Sequence, residues 1–149
     1  MGRKIATLML MLLLVSVAPF FPIHISVAPE PSLGIRWSGE NIALKSVSWR
    51  SDNSYGLLVS QDGKLLKYDG YNFEVLNLSL GFTPYDVAWK PDNSLAVMVG
   101  SQGHIVVYDG VSFSSFSAPN TNNLNKVSWK SDGAYALVAG NGGTLLRFD

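Results

Sequence analysis

Three aspartates spaced forty residues apart, Asp52, Asp92 and Asp132, each follow a tryptophan by three positions, at Trp49, Trp89 and Trp129. Carboxylates beside aromatic rings suit carbohydrate chemistry, since paired acids flank a glycosidic bond in hydrolysis and a flat ring gives a sugar an apolar surface. A second set, Asp69, Asp109 and Asp149, directly follows an aromatic residue, at Tyr68, Tyr108 and Phe148. Acids outside these two columns are few in the repeated part of the chain: Asp62, Glu74 and Asp86.

Other chemistries find little material. His104 is the one histidine beyond the first thirty residues, aligned with Lys64 and Thr144, and it stands near no catalytic serine motif. No His/Asp/Glu group has metal-ligand spacing, so no metal or other cofactor is expected. The chain contains no cysteine, which excludes disulfides, thiolate nucleophiles and Cys-ligated zinc or iron–sulfur sites. Residues 30–149 keep all eleven acids but only nine bases, a formal net charge of −2, so nucleic-acid binding has no electrostatic footprint.

The elements that carry these residues are written three times. VSWRSDNSYGLLVSQ from Val47 returns as VAWKPDNSLAVMVGS from Val87 and as VSWKSDGAYALVAGN from Val127. Gly63, Gly103 and Gly143 fall in register too. An interval of forty residues without insertion or deletion is the mark of a repeat architecture. Within a repeat the pattern is β throughout. Val47-Ser48-Trp49 alternates apolar and polar, and Asp52-Asn53 (Asp132-Gly133 in the third copy) supplies the positive φ of a tight turn. Tyr55–Ser60 is a nearly continuous apolar run, expected to be covered on both faces. Lys64–Asp69 and Phe73–Leu78 complete four strands, with turns at Gln61-Asp62-Gly63 and Asp69-Gly70. In-register acids are therefore expected to serve turns, and in-register tryptophans to serve the core.

Read from Lys45, KSVSWRSDNSYGLLVSQDGKLLKYDG resembles a WD-repeat unit. Val47-x-Trp49 stands for that family's Val-x-Phe, Pro91-Asp92-Asn93 is similar to its Pro-Asp-Gly, and the aromatic–Asp pairs occupy the place of its Trp-Asp dipeptide. Ser60-Gln61-Asp62-Gly63 is more distantly similar to the box of sialidase-type repeats, without its Thr-Trp. The Gly-His pair of the WD family is missing, with Leu44, Pro84 and Leu124 in that neighbourhood. The resemblance implies an all-β partial β-propeller, about three four-stranded antiparallel blades of forty residues each, after an N-terminal apolar helix. The expected parts are a strand at 33–38 in the fourth-strand column, then repeats at 44–78, 84–118 and 124–149, the last without its own final strand. Trp37 falls out of register, because Asn77 and Ser117 share its column, and is expected to be exposed or specialised.

The N-terminus predicts a destination. Arg3 and Lys4 precede the apolar run Ile5–Ala18, the layout of a secretory signal over residues 1–28. Small-x-small sites at Ser16–Ala18 and Ser26–Ala28 are each followed by proline, so an uncleaved anchor through residues 5–28 stands as an equal alternative. Either places residues 29–149 outside the cytoplasm, secreted or membrane-anchored.

Propellers usually need four to eight blades. Three leave apolar blade faces open, which implies a protein partner or self-association. The sequence leaves three readings: a piece of a longer propeller, a chain that closes a six-bladed ring with a second copy through a swapped outer strand, or an open wedge on another protein. Binding residues are expected at the second-to-third-strand turns and inter-blade loops, at Gln61, Asp62, Gln102, His104 and Asn141, with Tyr85 and Asn123. These positions vary while the scaffold columns do not, as expected of function grafted on a repeated frame. The functional expectation is a non-catalytic extracytoplasmic binding or assembly scaffold. The alternative is a sialidase-like carbohydrate-active enzyme.

Overall fold

The alternation and turn residues produce eleven short strands in the computed structural model, which describes residues 42–77 and 79–149. The expected leader, the expected strand at 33–38 and Trp37 lie outside the described residues. The protein is all-β as expected, with three antiparallel sheets in which strand order follows the chain. Sheet I holds β1 (Leu44–Trp49), β2 (Gly56–Ser60), β3 (Leu65–Tyr68) and β4 (Phe73–Asn77). Sheet II holds β5 (Pro84–Trp89), β6 (Ala96–Gly100), β7 (His104–Tyr108) and β8 (Phe113–Ser117). Sheet III holds β9 (Leu124–Trp129), β10 (Ala136–Gly140) and β11 (Leu145–Phe148).

Register explains why one residue pattern serves three sheets. Trp49 pairs with Gly56, Trp89 with Ala96 and Trp129 with Ala136, so each indole lies over a residue small enough to admit it. The same face carries the aromatic of the third strand, and Trp49–Tyr68, Trp89–Tyr108 and Trp129–Phe148 approach within 6.1–6.3 Å. This is the tryptophan face. The reverse face bears Leu57, Val59 and Leu65 in sheet I and Val97, Val99 and Ile105 in sheet II.

Packing is face against reverse face. Leu57, Val59 and Leu65 meet Val87, Trp89, Met98 and Tyr108 of sheet II. Val97, Val99 and Ile105 in turn meet Val127, Ala136 and Val138 of sheet III. Leu57 and Met98 are fully buried; each such side chain contributes about 1.5–3 kcal/mol relative to exposure. The central strand β6 is buried at every residue, as an apolar run covered on both sides should be. The matching run in β10 alternates, with Leu137 44% exposed. Trp49, expected in the core, is 45% exposed. Both depart from expectation for one reason: among the described residues no sheet covers the tryptophan face of sheet I or the reverse face of sheet III.

The aspartate columns build turns. Asp52 and Asp92 each accept from the backbone N–H and the hydroxyl two residues on, at Ser54 and Ser94. Asn53 and Asn93 take φ of +58° and +62°, and Gly133 takes +71° in the same column. Asp69 and Asp109 each accept two backbone N–H groups, from Tyr71 and Asn72 and from Val111 and Ser112. The preceding tyrosines lock the same turn, since the hydroxyls of Tyr68 and Tyr108 donate to the carbonyls of Gly70 and Gly110 at 2.8 Å. Asp132 accepts from the Ala134 N–H and pairs with Lys130. Gly63, Gly103 and Gly143 all adopt positive φ where the second strand turns into the third.

Glycine is required most strictly at Gly103, where φ is +74° and a Cβ would lie 2.3 Å from the Asn120 carbonyl oxygen. Gly103→Ala should cost about 1–3 kcal/mol in urea unfolding. Gly110→Ala should cost less, because a Cβ there meets nothing within 4 Å despite a φ of +97°.

The turn carboxylates also set an acid limit. Hydroxyl and backbone donors of Ser94 hold Asp92 at about 2, and those of Ser112 hold Asp109 at about 2. Arg50 and Ser54 hold Asp52 lower still. An unfolded aspartate titrates near 3.9, so folding with these groups ionised gains stability that is complete above about pH 4 and lost towards pH 2. The urea midpoint should therefore fall as pH drops from about 4 to about 2, and fall less steeply in the Asp92→Asn/Asp109→Asn double variant. Equal slopes would show that other groups set the acid limit.

Candidate functional site

The turns after the second strands gather at one end of the sheets. Gln61 N–H donates to the Ala43 carbonyl, Ser101 N–H to that of Thr83 and Asn141 N–H to that of Asn123, at 2.8–2.9 Å. Each turn is thereby tied to the segment that enters its own first strand. In sheets II and III the turn is a single 3-10 turn, Ser101–Gly103 and Asn141–Gly143.

At this end Gln61, Asp62 and Gln102 line one open cleft of about 410 Å³. Ser79, Gly81, Phe82, Thr83 and Ser101 complete its wall. The Asp62 carboxylate accepts from the Ser60 hydroxyl and pairs with Lys64 at 2.9 Å, and these two contacts lower its pKa. His104 flanks the wall, its ring stacked on Phe82 at 5.3 Å between centroids. Asn123 joins by linking turns: its side-chain oxygen accepts from the Gln102 N–H at 3.0 Å and its carbonyl from the Asn141 N–H. The Asn141 oxygen accepts from Asn125 at 2.7 Å. Tyr85 lies half-buried on β5 and does not line the cleft.

Gln61, Asp62 and Gln102 thus meet, and Asn123, Asn141 and His104 adjoin them. The lining is polar and open, able to offer amide donors and acceptors to a polar ligand. The described residues hold no group of three His, Cys, Asp or Glu suited to a metal ion.

A second polar centre lies inside the fold. The carboxylate of Asp86, on β5, is only 2% exposed. One oxygen accepts from the Ser46 hydroxyl of β1 at 2.6 Å and from the Lys126 ammonium of β9 at 3.0 Å. The other accepts from the Val127 N–H at 2.9 Å. Ser46, Asp86 and Lys126 stand forty residues apart, so one repeat column supplies donor, acceptor and counter-ion. Sequence reasoning left Asp86 as a spare acid, because it compared columns for sameness; a column of complementary types was the available signal.

No protein-family model matches this chain, and no curated protein matches it either. Among the described residues no helix is long and apolar enough to cross a membrane.

Asp86→Ala should cost about 3 kcal/mol, because it orphans the buried Val127 N–H and the Ser46 hydroxyl and leaves a cavity where the carboxylate stood. Lys126→Met should cost less, about 1–2 kcal/mol: the buried carboxylate loses its counter-ion but keeps the Ser46 hydroxyl and the Val127 N–H, and the lysine side chain itself is 71% exposed. Urea titrations of the two variants check the order, and a larger loss for Lys126→Met would contradict it.

Proposed function

We propose that the chain is a β-propeller-type scaffold, non-catalytic and outside the cytoplasm, that works by binding and assembly. The observation that carries this reading is the use of its acids. Each of the nine carboxylates among the described residues holds a partner within the fold. Asp52, Asp69, Asp92, Asp109 and Asp132 hold turns, and Asp86 joins three strands. Asp62, Glu74 and Asp149 pair with nearby cations. Hydrolysis of a glycoside needs two acids facing one bond, whereas here the carboxylates are spread along the repeat and committed to its geometry.

Three sheets stacked face to reverse face, each a four- or three-stranded meander in chain order, support the propeller reading. The WD-like columns perform blade work: Trp over a small residue, Asp in a turn and Tyr closing the next one. The polar cleft at Gln61, Asp62 and Gln102 is the binding surface in this reading, with amide groups for a polar ligand. The leader-like N-terminus supports secretion or anchoring through residues 5–28.

A glycan array and a panel of fluorogenic glycosides test this on the full chain. No turnover of any glycoside is expected, and any glycan retained on the array should be lost in Gln61→Ala/Gln102→Ala. Turnover of any member of the panel would overturn the scaffold reading.

A further inference from the structure

The faces of sheets I and III that are left open among the described residues carry matched halves of an interface that the chain already contains. Between sheets I and II, the backbone N–H of Trp89 donates to the Ser48 hydroxyl oxygen at 3.0 Å, and the Arg50 guanidinium sits 4.9 Å from the centre of the Trp89 ring. Tyr55 meets Trp89 edge-on at 5.7 Å. Asn93 and Ser51 exchange two hydrogen bonds, each 2.8 Å: Ser51 N–H to the Asn93 oxygen, and the Asn93 amide to the Ser51 hydroxyl. Sheet I therefore presents Ser48, a cation, Ser51 and Tyr55 on its reverse side, and sheet II receives them with Trp89 and Asn93.

The next interface replaces these residues. Sheet II offers Ala88, Pro91 and Leu95 in the same columns, and sheet III receives them with Trp129 and Gly133. Gly133 leaves only room for Lys90 and Pro91, which lie 3.3 Å and 3.7 Å from where its Cβ would be. Ala88 has no hydroxyl to offer the backbone of sheet III; its carbonyl instead accepts from the indole Nε1 of Trp129 at 3.3 Å, a different donor from the backbone N–H that Ser48 meets.

On the open reverse side of sheet III the first set returns: Ser128, Lys130, Ser131 and Tyr135, with Leu137 and Leu145 exposed where Leu57 and Leu65 are buried. On the open tryptophan face of sheet I the matching set returns as well: Val47, Trp49 and Asn53, the last holding a φ of +58° beside the +62° of Asn93. The two ends match each other through the very residues that the middle interface has lost.

From this we infer that the occupant of both faces is a second copy of this chain, joined head to tail, with the reverse side of sheet III against the tryptophan face of sheet I. The inference rests on the propeller reading for closure: two copies give six sheets, within the four to eight that close a ring, and two heterologous contacts complete it. Ser131 pairs with Asn53 of the other copy as Ser51 pairs with Asn93. Ser128 accepts from the backbone N–H of Trp49, and Lys130 lies over the Trp49 ring.

A chain free of cysteine permits a clean test. Full-length Asn53→Cys and Ser131→Cys are purified in detergent micelles, oxidised separately and mixed, and resolved without reductant. Ser51→Cys/Asn93→Cys, which forms its bond within one chain, reports on folding and oxidation. The mixture should give a disulfide-linked dimer at least tenfold above either variant alone, and Leu137→Glu in the Ser131→Cys chain should remove it. Equal linkage in the separate variants would mean face-to-face pairing or association elsewhere, and would overturn the inference. A mixture that stays unlinked while the internal control oxidises would overturn it too, leaving the open faces to a further repeat or another protein. Failure here leaves the non-catalytic reading intact, whereas glycoside turnover by the same preparation removes that reading whatever the cross-linking result.

Discussion

The Asp86 carboxylate bonds to all three sheets of the described residues, and their mutual placement depends on where it sits. Apolar faces attract in proportion to buried area and without direction, so Leu57 against Met98 would tolerate small slides of one sheet over another. The carboxylate does not. It accepts from the Ser46 hydroxyl, the Lys126 ammonium and the Val127 N–H at 2.6–3.0 Å, which sets the mutual height of β1, β5 and β9. With those strands placed, Trp89 and Trp129 lie at the level where the neighbouring reverse face receives them.

The repeat divides its labour between columns that agree and columns that differ. Columns that agree hold each sheet to itself: Trp over Gly or Ala, Asp in the turn, Gly at positive φ. They recur because every sheet needs them. Columns that differ govern how sheets meet. Ser48 accepts from the Trp89 backbone N–H, whereas Ala88 has only its carbonyl to offer the Trp129 indole, and Asn93 gives sheet I an amide where Gly133 gives sheet II an empty space. Variation along a repeat is therefore not confined to ligand-binding loops; part of it encodes which surface meets which.

That division explains what the sequence made legible. Strand order, turn positions and the role of the aspartate columns follow from local chemistry repeated three times, and Asn53, Asn93 and Gly133 at positive φ are its direct expression. The polar cleft was legible in part, because Gln61, Asp62 and Gln102 occupy turns that must lie at one end. Tyr85 does not line the cleft, because it lies half-buried on β5 rather than in the loop before it. Asp86 as a link is legible only when a column is compared for complementary rather than identical types, since its partners stand forty residues to either side and belong to other sheets. The exposure of Trp49 was illegible, because a residue suited to a core is buried only where a neighbouring sheet exists to cover it.

A stack of similar units draws its stability from each unit and from each contact between neighbours. Sheet II has both contacts, and its β6 is buried throughout. Among the described residues sheet III has one contact and three strands, with Leu137 and Leu145 left exposed. Opening is easiest where buried apolar contacts are fewest, so the gradient runs from the centre outward. The Asp86 link crosses that gradient. Its Lys126 and Val127 donors both belong to β9, and so the least covered sheet receives the carboxylate's ion pair as well as a buried backbone hydrogen bond. A directional contact to a buried carboxylate therefore supplements the burial of a sheet that, among the described residues, is covered on one face alone.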